Sequence, residues 1–469
     1  MLFNSINFVI FFIVVTTLYF ALSQKYRWLL LLLASCYFYM AFVPIYIIIL
    51  GFTIVVDYFA GIYIENAKGA KRKLFLTTSL IANIGVLCVF KYYNFLNENL
   101  SILLSHLGHG NPFPFLLILL PIGLSFHTFQ AMSYTIEVYR GNQPAERNFG
   151  IYALYVMFYP QLVAGPIERP QNLLHQFYEK HEFSSERVSS GLKQMMVGFL
   201  KKLVVADRLS IYVDTIYSSS SSQSGKSLLV ATVFFAIQIY CDFSGYSDIA
   251  IGAAKVMGFD LMKNFNRPYF SLSISEFWRR WHISLSTWFK DYLYFPLGGS
   301  RVKSISRRYF NLLVVFLISG LWHGANWTFV IWGALNGFLL IIESTLKIPF
   351  TTTSWWKRII RTFITFSLIC LTWVFFRAST ASQAYDIVKK IIQFKGSLYF
   401  GNPKDHFLYS IAAILFLLII EFMREYFPQK FKLFDNKSGI IRYAFYTLTI
   451  ITILLFGVLD GGQFIYFQF

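Results

Sequence analysis

Long apolar runs recur from one end of this 469-residue chain to the other, and they restrict its fold more than any other feature. A helix that crosses the hydrocarbon core of a bilayer takes about 20 mostly apolar residues, and roughly a dozen stretches approach that length. They lie at 6–23, 28–43, 45–63, 74–91, 113–136, 194–215, 227–254, 309–322, 325–346, 359–377, 407–422 and 441–459. Inside lipid every backbone N–H and C=O must be paired within the protein, which leaves helices and closed barrels as the spanning structures. Barrel strands alternate polar and apolar residues over about 10 positions, whereas these runs are continuous. An all-α polytopic membrane protein with about 12 spans is therefore expected. Hydrophobic residues at 56% against 14% charged agree with that class and not with an ordinary soluble domain. The first run lacks a basic leader and a small-residue cleavage site, so it is expected to be a retained span and not a removed signal peptide.

The net charge of +18 raises nucleic acid as a partner, but no large soluble domain is available to present a basic face. Lys and Arg gather in short loops, as cytoplasmic loops do. "QKYR" (24–27), "NAKGAKRK" (66–73), residues 255–308, "WWKRIIR" (355–361) and 424–442 are expected inside, while "NENLS" (97–101) and "SSSSSQSGKS" (218–227) are expected outside. Twelve spans threaded through these loops put both termini outside. Residues 378–406 run against the pattern, since they carry Lys389, Lys390, Lys395 and Lys404 on the outer side. "AYDIVKKIIQF" (384–394) there reads as an amphipathic helix lying in the interface. Cys36, Cys88, Cys241 and Cys370 are scattered through apolar runs without CxxC spacing, the pattern of small core residues and not of disulfides or metal ligands.

Polar residues within apolar surroundings are where function is to be sought. In "SLSISEFWRRWHISLSTWFKDYLYFPLGG", Ser273 and Glu276 form a capping box that starts a helix near residue 274. Helical spacing lines up Trp278, Trp281, Leu285, Trp288 and Tyr292 on one face and Arg280, Ser284, Thr287 and Asp291 on another. His282 falls on the apolar side, as a hydrogen-bonded core residue or as a participant in chemistry. His323 lies in "LLVVFLISGLWHGANWTFVIWGALNGF" at a break flanked by Gly320 and Gly324. An imidazole removes a hydroxyl proton when neutral and returns one when cationic, which makes His323 the general-base candidate. His127, beside Ser125, Thr128 and Gln130, is a cavity or interhelix hydrogen-bonding residue. Asp242 and Asp248 in "IYCDFSGYSDIAIG" mark a water-accessible vestibule or carboxylates at the inner interface, and Asn326 of the "HGAN" break is counted with His127 and these two as cavity-lining. "YPQLVAGPIERP" (159–170) holds Pro160, Gly165, Pro166 and Pro170, which forbid a continuous helix and suit a re-entrant loop. There is no metal-ligand spacing, no phosphate loop and no GxSxG elbow.

Taken in order, "YPQLVAGPIERP", the stretch from "DFSGYSDIAIG" through "FWRRWHISLSTWFKDYLYFPLGG", and "GLWHGANWTFVIWG" resemble the membrane-bound O-acyltransferase family in its bacterial alginate O-acetyltransferase branch. The likeness covers most of the chain and is densest over 115–340. It implies one integral-membrane domain over 1–469, with N-terminal spans in 1–112, a core in 113–346, C-terminal spans in 347–459 and an aromatic tail in 460–469. It further implies re-entrant and interfacial helices around a central tunnel, His323 as the catalytic histidine and His282 as the second histidine. The implied activity moves an acyl group, most simply acetyl from acetyl-coenzyme A, through the bacterial plasma membrane to an exported polysaccharide or wall polymer, with an extracytoplasmic SGNH-type esterase-like partner and with no bound cofactor or metal. Arg279, Arg280, Lys290 and Arg301 would attract the donor's phosphates, or serve topology alone. The tail "FIYFQF" (464–469) resembles the aromatic hexapeptides of related systems, which makes Tyr466 an acyl carrier or, in the plainer alternative, part of an interfacial aromatic belt. Two other functions stay open at this stage: D-alanyl transfer from a carrier protein, and a transporter or flippase of lipid-linked sugars.

Overall fold

The structure, a computed structural model, describes residues 1–117, 121–163, 165–348, 354–401, 404–429, 438–459 and 464. Its helices divide between two units, one made of residues 1–192 and 250–262, the other of 193–249 and 263–469.

The first unit opens with α1 (Ile6–Ala21), α2 (Gln24–Met40), α3 (Ile47–Asn66), α4 (Gly69–Leu87) and α5 (Tyr93–His106). A π-helical turn over Cys88–Tyr92 joins α4 to α5 without a break. Gly123, at φ +76°, starts α6 (Leu124–Arg140); a Cβ there would stand 2.7 Å from the Leu162 carbonyl oxygen, so both conformation and space call for glycine. α7 (Phe149–Met157) leads to the single turns α8 (Tyr159–Leu162) and α9 (Pro170–Leu173), and the described backbone between these two is non-helical and almost wholly buried. That is the setting in which irregular backbone is tolerated at depth, and the prolines explain why no helix crosses it. α10 (Ser185–Phe199) follows.

In the second unit a π-helical bulge over Leu200–Ala206 carries the chain into α11 (Asp207–Ser218), followed by α12 (Gly225–Met257). Gly198 of α10 meets Gly245 of α12 so closely that a Cβ on Gly198 would lie 2.6 Å from the Gly245 carbonyl oxygen. Two seven-residue helices come next, α13 (Ile274–Arg280) and α14 (Ile283–Phe289), then α15 (Ile305–His323), α16 (Trp327–Thr345), α17 (Trp355–Arg377), α18 (Ala381–Gln393), α19 (Asp405–Tyr426) and α20 (Gly439–Phe456). α15 and α16 form a tight hairpin through Gly320 and Gly333: a Cβ on Gly320 would fall 2.2 Å from the Phe329 carbonyl oxygen, and one on Gly333 would fall 2.3 Å from that of Phe316. The obstacle is backbone in both cases, and it cannot rotate aside. Gly320→Val is accordingly expected to destabilise the hairpin by about 1–3 kcal/mol, read as a lower melting temperature of the detergent-solubilised protein.

Seven described helices are long and apolar enough to cross a membrane, over 46–66, 69–106, 225–257, 327–345, 355–377, 405–426 and 439–456, and α1 is a shorter apolar helix. The other expected spans differ in recognisable ways. Residues 113–136 are not one helix, because the described part becomes helical only at Leu124 and α6 is buried along most of its length. The run at 194–215 is interrupted by the π bulge, and α15 begins with Arg307 and Arg308 in its first turn. The segment expected to be amphipathic is a helix: α18 buries Ala384 and Ile387 while Tyr385 and Lys389 are exposed.

Candidate active site

The second unit holds both histidines singled out by the sequence. His323 is the last residue of α15 and is buried. The turn after it lasts three residues, and Asn326 closes it by accepting the Thr328 N–H at 3.0 Å as the N-cap of α16. Asn326 also donates to the Ser379 carbonyl at 3.1 Å, tying the turn to the residues just before α18. Gly324 is packed tightly, since a Cβ there would stand 2.1 Å from the Phe329 ring and would require that ring to move. Three rings surround the His323 imidazole: Trp322 at 4.9 Å, Trp332 at 5.1 Å and Phe376 at 5.3 Å between centroids.

His282 does not ride on a continuous helix, as the periodicity of its segment predicts. The chain breaks between α13 and α14, and His282 occupies the break at φ +42°, ψ +56°. Left-handed backbone costs a non-glycine residue roughly 1–2 kcal/mol, and Asn264 offsets that cost. The Asn264 carbonyl oxygen accepts the Ile283 N–H at 2.9 Å, and its side-chain Oδ1 accepts the Ser284 N–H at 3.3 Å. The first two N–H groups of α14 are thereby satisfied from outside the helix, where orphaned donors otherwise stand. The start of α13 is satisfied in a comparable way. Ser273 Oγ accepts the Glu276 N–H at 3.1 Å, and the Glu276 carboxylate takes the Leu272 N–H at 2.8 Å, so the expected capping box is present with its return bond displaced by one residue. Glu343 of α16 adds its carboxylate to the Ile274 N–H at 2.6 Å and the Ser275 N–H at 3.2 Å, which links the segment of His282 to the hairpin of His323.

His282 is 1% exposed. Phe243 stands edge-on to its ring at 4.5 Å, and Trp322 lies 6.2 Å away. Trp322 is thus shared between the two imidazoles. Phe464, the first residue of the aromatic tail, is buried in the same cluster, 4.5 Å from Tyr246 and 5.5 Å from Phe243. Tyr466 and the Asp460–Gly462 stretch before "FIYFQF" lie outside the described residues.

Asp242, which is buried, and Asp248, which is partly exposed, are both paired with lysines. Lys202 reaches Asp242 at 2.7 Å and Asp207 at 2.8 Å, and Lys201 reaches Asp248 at 2.8 Å. Both lysines come from the π bulge, whose extra residue per turn presents two successive side chains to α12. Arg280 is held by Glu425 at 2.9 Å and Glu276 at 2.6 Å, with Arg267 on the far side of Glu425 at 2.5 Å. Arg279, Lys290 and Arg301 are exposed. His127 is in the other unit, buried on α6, and among the described residues its ring nitrogens have no hydrogen-bond partner. Asn264, Glu343, Lys201 and Lys202 are the residues sequence reasoning missed; "KK" inside an apolar run was the one local signal.

Two buried imidazoles, one at the end of a helix and one between helices, thus lie beside the same indole, and an imidazole is a group that can take up or release a proton. The family profile of the membrane-bound O-acyltransferases matches residues 146–381, which include both. The probable alginate O-acetylase of Azotobacter vinelandii is 41% identical over 379 residues, covering 80% of this chain and 75% of that protein. The chain belongs to the membrane-bound O-acyltransferase family. This O-acyltransferase is 36% identical to the peptidoglycan O-acetyltransferase of Helicobacter pylori, over 84% of its own length and 80% of the relative's. Likeness to the teichoic acid D-alanyltransferase of Bacillus subtilis is weaker, 26% over 54% of this chain and 68% of that one. The protein is thus an acyl-transferring enzyme, multi-pass in the bacterial plasma membrane, and the flippase alternative is set aside.

Proposed function

We propose that this acyltransferase takes an acetyl group from acetyl-coenzyme A at the cytoplasmic face and passes it through the membrane for O-acetylation of an extracytoplasmic polysaccharide or wall polymer. The observation that carries the reading is the aromatic cluster in which Trp322 separates His282 from His323 and Phe464 of the tail packs against Phe243, the ring that touches His282. Tyr466, which carries the one hydroxyl of "FIYFQF", follows Phe464 by two residues in the sequence, and we assign it the role of acyl carrier. His323 takes the Tyr466 phenol proton, the phenolate oxygen attacks the thioester carbonyl, the C–S bond breaks, and the proton passes to the coenzyme A thiolate. The tyrosyl ester then hands its acetyl group to an SGNH-type partner outside, which acylates the polymer. Exposed Arg279, Lys290 and Arg301 suit the donor's phosphates, while Arg280, bound to two carboxylates, shapes the segment that carries them. In a chain of about 12 spans with re-entrant elements, Asn326 belongs to the polar lining of a tunnel beside His323, and His127 to a polar cavity of its own unit.

The named relatives support a polymer acceptor, since the closely similar ones act on alginate or peptidoglycan by name. The similarity to teichoic acid D-alanyltransferases supports D-alanyl as a second acyl group, for which the donor weighed from the sequence is an aminoacyl thioester on a carrier protein. Membrane vesicles holding the enzyme and its outer partner decide between them. Label is expected to pass to polymer from [14C]acetyl-coenzyme A and not from a D-[14C]alanyl carrier protein. The opposite pattern would replace the acetyl reading with the aminoacyl one.

A further inference from the structure

We infer that Asn264 is a positioning residue that holds the His282 imidazole as its Nδ1–H tautomer, so that Nε2 is the nitrogen that handles the proton. The catalytic consequence rests on the function proposed above; the tautomer does not.

The orientation of the Asn264 amide is settled by a group that can only donate. Its Oδ1 receives the Ser284 backbone N–H at 3.3 Å, so oxygen and not NH2 must occupy that position. The same Oδ1 lies 3.0 Å from Ser284 Oγ and 3.1 Å from His282 Nδ1. The amide Nδ2 points the other way and donates to Ser247 Oγ at 3.2 Å. An acceptor oxygen facing Nδ1 requires a proton on Nδ1, and in the neutral ring that leaves the lone pair on Nε2. Ser284 Oγ, 3.5 Å from Nδ1, is too far to compete for that proton. Phe243, edge-on at 4.5 Å, and Trp322, at 6.2 Å, pack against the imidazole. Asn264 therefore has two linked tasks. Through its carbonyl and its Oδ1 it satisfies the N–H groups that follow the left-handed turn at His282, and through that same Oδ1 it orients the ring and selects its tautomer. A neutral amide does this without introducing a charge beside the ring, so His282 remains a neutral base. Where a histidine is held in the other tautomer the lone pair faces the wrong way, and losses of up to about 10^4-fold are known for such errors in serine-protease triads.

Solid-state NMR of the full-length protein, labelled with 15N-histidine and reconstituted in lipid nanodiscs, reads the tautomer directly, with His282→Gln identifying the resonances. At neutral pH the wild-type ring is expected to show a protonated Nδ1 and an unprotonated Nε2. Asn264→Ala should shift the ring to the Nε2–H form and lower acyl transfer by about 10^2-fold or more. Asn264→Asp, whose carboxylate still accepts from Nδ1, should keep the tautomer and stabilise the imidazolium, so the acid limb of the activity profile moves to higher pH. A packing role would leave that limb in place. A wild-type Nε2–H ring, or an Asn264→Ala protein that keeps Nδ1–H, overturns the assignment. Should Asn264→Ala fail to fold, the wild-type spectrum and the Asn264→Asp profile decide it. If the tautomer is as stated but His282→Gln transfers acetyl normally, the catalytic use of His282 fails and the tautomer stands.

Discussion

Acyl transfer by a His323→Ala variant is expected to fall by about 10^2–10^4-fold, the range over which a positioned acid–base group contributes. His323 is placed by the end of α15, the glycine that follows it and the rings of Trp322, Trp332 and Phe376, so its imidazole is held without freedom to turn away. Such a setting reduces the reorganisation needed when the proton moves. The substitution removes a side chain at a helix terminus, where alanine is accepted, and leaves the Gly320–Gly333 crossing that holds the hairpin. Expression, membrane insertion and elution volume in detergent should therefore stay as in the wild type while the O-acetyl content of the polymer disappears. Polymer acetylation near the wild-type level, in a variant shown to be folded, would remove His323 from the chemistry.

What the sequence revealed about this region follows the range of the interactions involved. The His323 turn is legible because its determinants, Gly320, Gly324 and Asn326, are neighbours in the chain. The start of α13 is legible for the same reason, through Ser273 and Glu276. Apolar residues at three- and four-residue steps, Ala384, Ile387 and Ile391, likewise reveal α18 as an amphipathic helix. The break at His282 is not legible: seven-residue periodicity runs straight through it, and the residue that breaks the helix, Asn264, is 18 positions earlier. Asp242 and Asp248 could be flagged as costly, but their lysine partners depend on a π bulge, a change of one residue in helical phase that local pattern does not encode. The expected count of spans ran ahead of the seven long apolar helices for a related reason. The apolar part of the run at 113–136 lies largely before Leu124, whereas α6 itself carries Ser125, His127, Thr128, Gln130, Ser133, Thr135 and Glu137, so a window average over the run hides where the apolar sequence ends.

Tyr466→Phe is expected to abolish acetylation of the polymer while leaving the enzyme folded. Phenol has a pKa near 10, so it attacks a thioester at neutral pH only if a base removes its proton as it reacts. The neutral imidazole of His323 can supply that base, and aryl esters are reactive donors because phenolate leaves readily. Phe464 gives the tail an anchor, buried against Tyr246 and Phe243, and the substitution at 466 leaves that anchor untouched. Phenylalanine also keeps the ring, so only the nucleophilic oxygen is lost. An interfacial aromatic belt would tolerate the change, since Phe and Tyr differ there by one hydroxyl that lipid headgroups or water can replace. Incubation with [14C]acetyl-coenzyme A in the absence of the outer partner should label the C-terminal peptide of the wild type, and mass spectrometry should find the acetyl group on Tyr466. The label should be absent from Tyr466→Phe and from His323→Ala, for different reasons: the first lacks the acceptor oxygen and the second lacks the base. Hydroxylamine, which cleaves aryl esters, should release it. Wild-type polymer acetylation by Tyr466→Phe would return the tail to the membrane interface and require acetyl to pass from thioester to the outer partner without a tyrosyl intermediate.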